Sequence, residues 1–249
     1  MKRELVGSEN MPKDELYLKS VTYKKEQEVE TNKYPYNIPI VKDLKKLKFT
    51  KRVTFLVGEN GIGKSTFIEA LAIKLGLNAE GGTENFDFST RNTHSDLYKY
   101  LELELSEERP KTKFFLRAER FYNFASEVEN LGVGGYGEDS LHSCSHGETF
   151  LQLFNNRFTE NGLYILDEPE AALSASRQLT LLYLIDCLSK QGSQFIIATH
   201  SPILIAYLNG EILDLNNNFA STNYTDTEIY QTYKLFIENY EQVQKNLFE

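Results

Sequence analysis

The sequence predicts an α/β protein, a mixed sheet with helices on both faces and an antiparallel β subdomain. Three short apolar runs of the buried-strand type predict the sheet: Val53-Thr54-Phe55-Leu56-Val57, Leu163-Tyr164-Ile165-Leu166 and Gln194-Phe195-Ile196-Ile197-Ala198. Stretches of helical period lie between them. Ile68, Leu71, Ala72 and Leu75 share one face after the first run, and Leu181, Leu182, Ile185 and Leu188 share one face between the second and third. Strands alternating with helices imply parallel pairing with helical cover on both sides. The N-terminal strand segments and two runs between 100 and 119 supply the antiparallel part.

Residues 1–16 are polar and aperiodic, which predicts a flexible tail. Segments 17–24 (YLKSVTYK) and 46–57 (KLKFTKRVTFLV) carry strand patterning. A glycine loop at 58–64 leads into the helix STFIEALAIKLG, where Gly76 supplies the stop. After a polar loop, YLELEL (100–105) and KFFLRAE (113–119) are expected to pair as a hairpin across 107–111. FYNFASEVENL reads as a short helix, and LGVGGYGEDS, with four glycines in ten residues, as a loop. From Ser145 onward, Phe150, Leu151, Phe154 and Phe158 mark a helix that stops near Asn161-Gly162. Helix 174–188 and the cap Ser201-Pro202 complete the pass. Residues 17–249 are expected to form one domain, with a small helical and loop subdomain around 120–160.

Of 249 residues, 41% are apolar and 25% charged, an ordinary globular composition with enough chain for a large core. No apolar run approaches the roughly 20 residues of a membrane span, and the N-terminus has no apolar signal core. A cytoplasmic protein is expected. Two cysteines are too few for a disulfide framework. The net charge of −9 opposes wholesale coating of a polyanion. A local exception is the cluster Lys42, Lys45, Lys46, Lys48, Lys51 and Arg52, either a phosphate-contacting stripe or a lysine-rich strand edge that discourages further pairing.

Chemistry enters at Gly58-Glu59-Asn60-Gly61-Ile62-Gly63-Lys64-Ser65, which matches G-x-x-x-x-G-K-[ST] between a strand and a helix. Glycines at 58, 61 and 63 let backbone N–H groups, including that of Asn60, turn toward phosphates. Lys64 reaches the β- and γ-phosphates, Ser65 ligates Mg²⁺, and Thr66 extends the cradle. This is a P-loop, hence a P-loop NTPase fold. The strand Leu163–Leu166 delivers Asp167 and Glu168 at its carboxyl end, where ligands of open α/β sheets bind. Asp167 suits Mg²⁺, and Glu168 suits orienting and deprotonating a water. His200 closes the strand QFIIATH and can meet a γ-phosphate or hold the lytic water.

Ser145-His146-Gly147-Glu148 has two readings. A serine followed three residues later by glutamate is a capping box, yet a glycine inside the first turn is costly there unless something approaches closely.

Taken together, GENGIGKST, SHGE, LYILDEPEAALS and ATHSP resemble, in order and spacing, the ABC-type ATPase superfamily. The resemblance covers about residues 17–215. It is nearest the soluble chromosome-maintenance (SMC) and repair branch, which includes small stand-alone ATPases, some associated with antiphage defence. It implies ATP and Mg²⁺ as ligands and a head-to-tail homodimer, in which Ser145 and the Gly147 N–H contact the γ-phosphate on the partner copy's P-loop. Tyr34 or Tyr36, of which Tyr36 is favoured, would stack on adenine. Two positions depart from the family pattern. Ser174 stands where the transporter branch has aspartate, and Glu119 is the nearest candidate for a missing Mg²⁺-sensing glutamine.

The resulting expectation is an ATP hydrolase with catalytic Lys64, Glu168 and His200, whose ATP-driven dimer acts on a partner protein or on DNA. Rivals are the nucleotide-binding subunit of a membrane permease and an ATP-gated binding module with little turnover.

Overall fold

The computed structural model describes residues 15–24, 34–78, 95–118, 151, 154 and 156–248. Its centre is a six-stranded sheet. Strands β3 (Val53–Val57), β5 (Thr112–Arg117), β6 (Gly162–Asp167), β7 (Gln194–Ala198), β8 (Glu211–Asp214) and β9 (Ala220–Thr222) lie in the order β5-β6-β7-β3-β8-β9. All neighbours pair in parallel except β8 and β9. The carboxyl ends of β3, β6 and β7, which carry the P-loop, Asp167 and His200, therefore open on one edge.

A smaller sheet joins β2 (Lys46–Lys48), β1 (Leu18–Tyr23) and β4 (Leu101–Leu105) in that order, all antiparallel. Helices α1 (Pro39–Asp43) and α2 (Lys64–Lys74) belong to the core shared by the two sheets, where Leu18, Val21, Ile40, Phe67, Leu71, Ile165 and Ile196 are buried. The other face of the large sheet buries Phe55, Phe114, Tyr164, Phe195 and Ile197 against Leu181 and Ile185 of α3 (Ala175–Lys190). The strands split their side chains by period two: Leu163 and Ile165 of β6 enter the first core, Tyr164 and Leu166 the second.

Two expectations change. The runs at 100–105 and 113–119 do not form a hairpin: β4 pairs antiparallel with β1 (Val21 opposite Leu103), and β5 pairs in parallel with β6 (Phe115 opposite Ile165). Their burial explains the separation. Glu102 and Glu104 of β4 face solvent and pair with Lys24 and Lys46 at 2.6 and 2.9 Å, so one side of β4 stays wet. Phe114, Phe115 and Leu116 of β5 are buried in succession, which requires cover on both faces.

The run 46–57 likewise divides between the sheets. The Glu211 carboxylate accepts from the N–H groups of Thr50 (2.8 Å) and Lys51 (3.2 Å) and from Thr54 Oγ1 (2.7 Å), satisfying the chain where it crosses over. The basic cluster is dispersed by this crossing. Lys46 sits on the outer strand β2, Lys51 donates to the Gly210 carbonyl, and Arg52 to that of Gly192, which suits the strand-edge reading.

Helix α2 ends as expected, with Gly76 at φ +83° and Leu77 N donating to the Ala72 carbonyl. Beyond 206 the sequence reading named no elements, and the structure adds β8, β9 and α4 (Glu228–Phe248). Helix α4 buries none of its residues and exposes Tyr233, Leu235, Phe236, Ile237 and Leu247. Among the described residues no helix is long and apolar enough to cross a membrane.

Candidate functional site

The loop after β3 curls around the Lys64 side chain. Its Nζ donates to the carbonyls of Gly58 (2.8 Å) and Glu59 (2.9 Å), and the residue is 5% exposed. Burial lowers the ammonium pKa from its ordinary value, while Glu168, Asp167 and Glu170 pull it back upward. Gly63 precedes the helix at φ +109°, and a Cβ there would lie 2.6 Å from Ile40 Cγ2. Backbone conformation and contact both exclude a side chain.

Asp167 ends β6 with 3% exposure, and its Oδ1 accepts from Ser65 Oγ at 3.2 Å. The structure thus joins the two residues expected at the metal, which are 102 positions apart. Among the described residues no group of three or more His, Cys, Asp or Glu side chains could hold a metal ion. The protein's own donors here are a hydroxyl and a carboxylate. Hard oxygen ligands of this number suit Mg²⁺ that completes its shell with phosphate and water.

Glu168 adopts a left-handed conformation, φ 50° and ψ 50°, while its N–H donates to the Ala198 carbonyl at 2.9 Å. The turn brings its carboxylate toward β7: Glu168 Oε1 lies 3.8 Å from His200 Nε2. That nitrogen is shielded from water and has no hydrogen-bond partner among the described residues, which marks a place for a missing group. Burial, then the Lys64 charge, lowers the His200 pKa below its ordinary 6.5, so the ring is neutral at pH 7. The backbone N–H of His200 donates to Glu170 Oε1 at 2.5 Å. Burial pushes the Glu170 carboxyl's pKa up, against the opposing effect of that N–H. Ser201 Oγ accepts from Ile203 N and Leu204 N at 3.1 Å, the cap read from the sequence, although the turn it starts is a short 3₁₀ segment.

A cavity of about 510 Å³ opens on this edge, lined by Gly58, Asn60, Glu168 and His200 on one side and by Ile229 and Tyr233 of α4 on the other. Tyr36, favoured for stacking, instead sets its ring edge against Tyr100 with centroids 5.4 Å apart and packs on the core. Tyr34 is 62% exposed, with its hydroxyl 3.3 Å from Thr66 Oγ1. Tyr34 thus lies beside the P-loop helix. Ser145, Gly147 and Glu119 lie outside the described residues.

Sequence reasoning passed over Arg117. From the end of β5 it donates through Nε to Asp167 Oδ2 (3.0 Å) and through Nη1 to Glu69 Oε2 (3.0 Å), with Nη2 3.4 Å from the Ser65 carbonyl. Burial works against its charge, but Asp167 and Glu69 outweigh it and leave the guanidinium pKa raised. No local signal marks this cluster, since Arg117 meets Asp167 only through the register of β5 on β6.

A family profile described as an AAA domain matches residues 36–165, and a second AAA-domain profile, whose description mentions a type IV toxin–antitoxin system, matches residues 140–206. An uncharacterized ABC transporter ATP-binding protein of Haemophilus influenzae is 27% identical over 191 residues, spanning 68% of this chain and 72% of that protein. ABC transporter I family member 1 of Arabidopsis thaliana is 28% identical over 162 residues, 59% of this chain and 69% of that one. The SMC head domain from Thermotoga maritima aligns over 80% of this chain and 95% of its own at 16% identity, with a TM-score of 0.43.

Proposed function

The chain belongs to the AAA-domain family, within the ABC-type P-loop ATP hydrolases, and from that premise we propose that it cleaves ATP at the β3, β6 and β7 edge and couples cleavage to reversible pairing of two copies. The observation that carries this reading is the meeting of Glu168 with His200 Nε2, which has no hydrogen-bond partner among the described residues, at a cavity shared with the P-loop.

In this reading the P-loop backbone and Lys64 grip the phosphates. Ser65 and Asp167 would hold Mg²⁺, which when bound neutralises charge on the β- and γ-phosphates. Glu168 orients and deprotonates the attacking water, and neutral His200 offers Nε2 to the γ-phosphate or to that water. Ser145 and Gly147 of a second copy would close the sandwich. Loss of the γ-phosphate then removes contacts on both copies and lets them part, which is the motion a partner protein or DNA would receive.

Glu168→Gln tests the assignment. The variant is expected to lose at least about 100-fold in phosphate release while retaining an ATP-dependent dimer by light scattering. Full turnover in the variant would remove Glu168 from its role. A second reading, the ATP-binding subunit of a membrane transporter, is favoured by the two relatives, both named as ABC transporter proteins. Co-purification with a membrane protein supports that reading, and DNA-stimulated phosphate release in its absence supports the first.

A further inference from the structure

We propose that Arg117 is a positioning residue that makes binding of the divalent cation conditional on nucleotide. The inference rests on the reading of Ser65 and Asp167 as the metal site and concerns how that site is kept metal-free until phosphates arrive.

Asp167 is a buried carboxylate whose two oxygens have different partners. Oδ1 faces the Ser65 hydroxyl at 3.2 Å, and Oδ2 takes the Arg117 Nε at 3.0 Å. The guanidinium is itself anchored on α2 through Glu69 at 3.0 Å, and with a side chain 10% exposed it cannot swing into solvent. A planar fork held at several points fixes the carboxylate's rotation and leaves Oδ1 as the oxygen turned toward Ser65.

The same guanidinium puts a permanent positive charge on the carboxylate that a divalent cation must share. A unit positive charge bound to one oxygen of that carboxylate repels a double positive charge brought to the other, and the low exposure of both side chains, 10% and 4%, limits the screening of that repulsion. Removing the charge therefore tightens metal binding, although it also frees the carboxylate to rotate. With Arg117 present, a hydroxyl and a half-neutralised carboxylate hold Mg²⁺ weakly, and phosphate oxygens must supply the remaining attraction. Mg²⁺ then enters with its nucleotide.

The test is calorimetric titration of MgCl₂ into the nucleotide-free full chain. The unaltered protein is expected to show no saturable binding below about 10 mM, and Arg117→Gln to bind at least tenfold more tightly. Equal affinity in the two proteins overturns the proposal. Should Arg117→Gln fail to fold, Glu69→Gln carries the test with the opposite sign. It removes a negative charge beside Arg117 and should weaken Mg²⁺ binding to the complex with ADP at least threefold, and an unchanged affinity overturns the proposal equally. Asp167→Asn in the Arg117→Gln background separates the two levels of the argument. If Asp167→Asn abolishes binding while Arg117 makes no difference, only the role of Arg117 falls. If tight binding persists without Asp167, the metal-site reading falls with it.

Discussion

The two halves of the site are held together by different means. The P-loop half is local: Lys64 is gripped by carbonyls five and six residues before it, and a glycine conformation starts the helix. The carboxylate half is assembled from afar. Ser65 meets Asp167 across 102 positions, Arg117 meets Asp167 across 50, and Glu170 meets His200 across 30. A loop shaped by its own backbone is a sequence motif, whereas a cluster shaped by strand register becomes visible only once the sheet is built. The first half should therefore fail through backbone or lysine changes that act alone, the second through charges that act in concert.

The largest effect expected is that of Lys64→Ala, about 100-fold or more in phosphate release, because a preorganised positive charge at the phosphates is lost. If the halves are separate, the melting temperature should move by only a few degrees, and a collapse of the fold would break the comparison. Gly63→Ala comes next. Its Cβ would sit 2.6 Å from Ile40 Cγ2 at a positive φ, so the variant should lose about 2 kcal/mol in urea unfolding despite being the smallest side chain available.

Glu170→Gln probes the other half through pH. The unfolded carboxyl ionises near 4.5 and the folded one higher, so between these values the folded state holds more protons and stability falls as pH rises. The variant lacks this loss. Measured by urea unfolding, its stability relative to the unaltered protein should rise between pH 4 and pH 7, and a constant difference would show that the carboxyl does not titrate on unfolding. Tyr34→Ala should have the smallest effect, about threefold in the KM for ATP from lost ring contact. Tyr36→Ala should instead lower thermal stability, since its ring packs against Tyr100.

The same division explains how much was legible beforehand. Strand β3, its loop, α2, β6, α3 and β7 follow from runs whose signal is complete within a dozen residues. What escaped was pairing. Leu101–Leu105 and Thr112–Arg117 stand close in sequence and both have strand patterning, yet one has a wet side and the other has none, and that difference sends them to separate sheets. Misjudging that pairing hid Arg117, because only parallel pairing of β5 on β6 sets it beside Asp167. The different settings of Tyr34 and Tyr36 were hidden for a similar reason, since Tyr36 packs on Tyr100, a ring that no local pattern associates with it.

Glu168 holds its backbone in a costly conformation. A left-handed φ of 50° at a side chain other than glycine or asparagine costs about 1 kcal/mol. Replacement by glycine would relax the turn while silencing the candidate base. Stability and the proposed chemistry therefore pull in opposite directions at this one position.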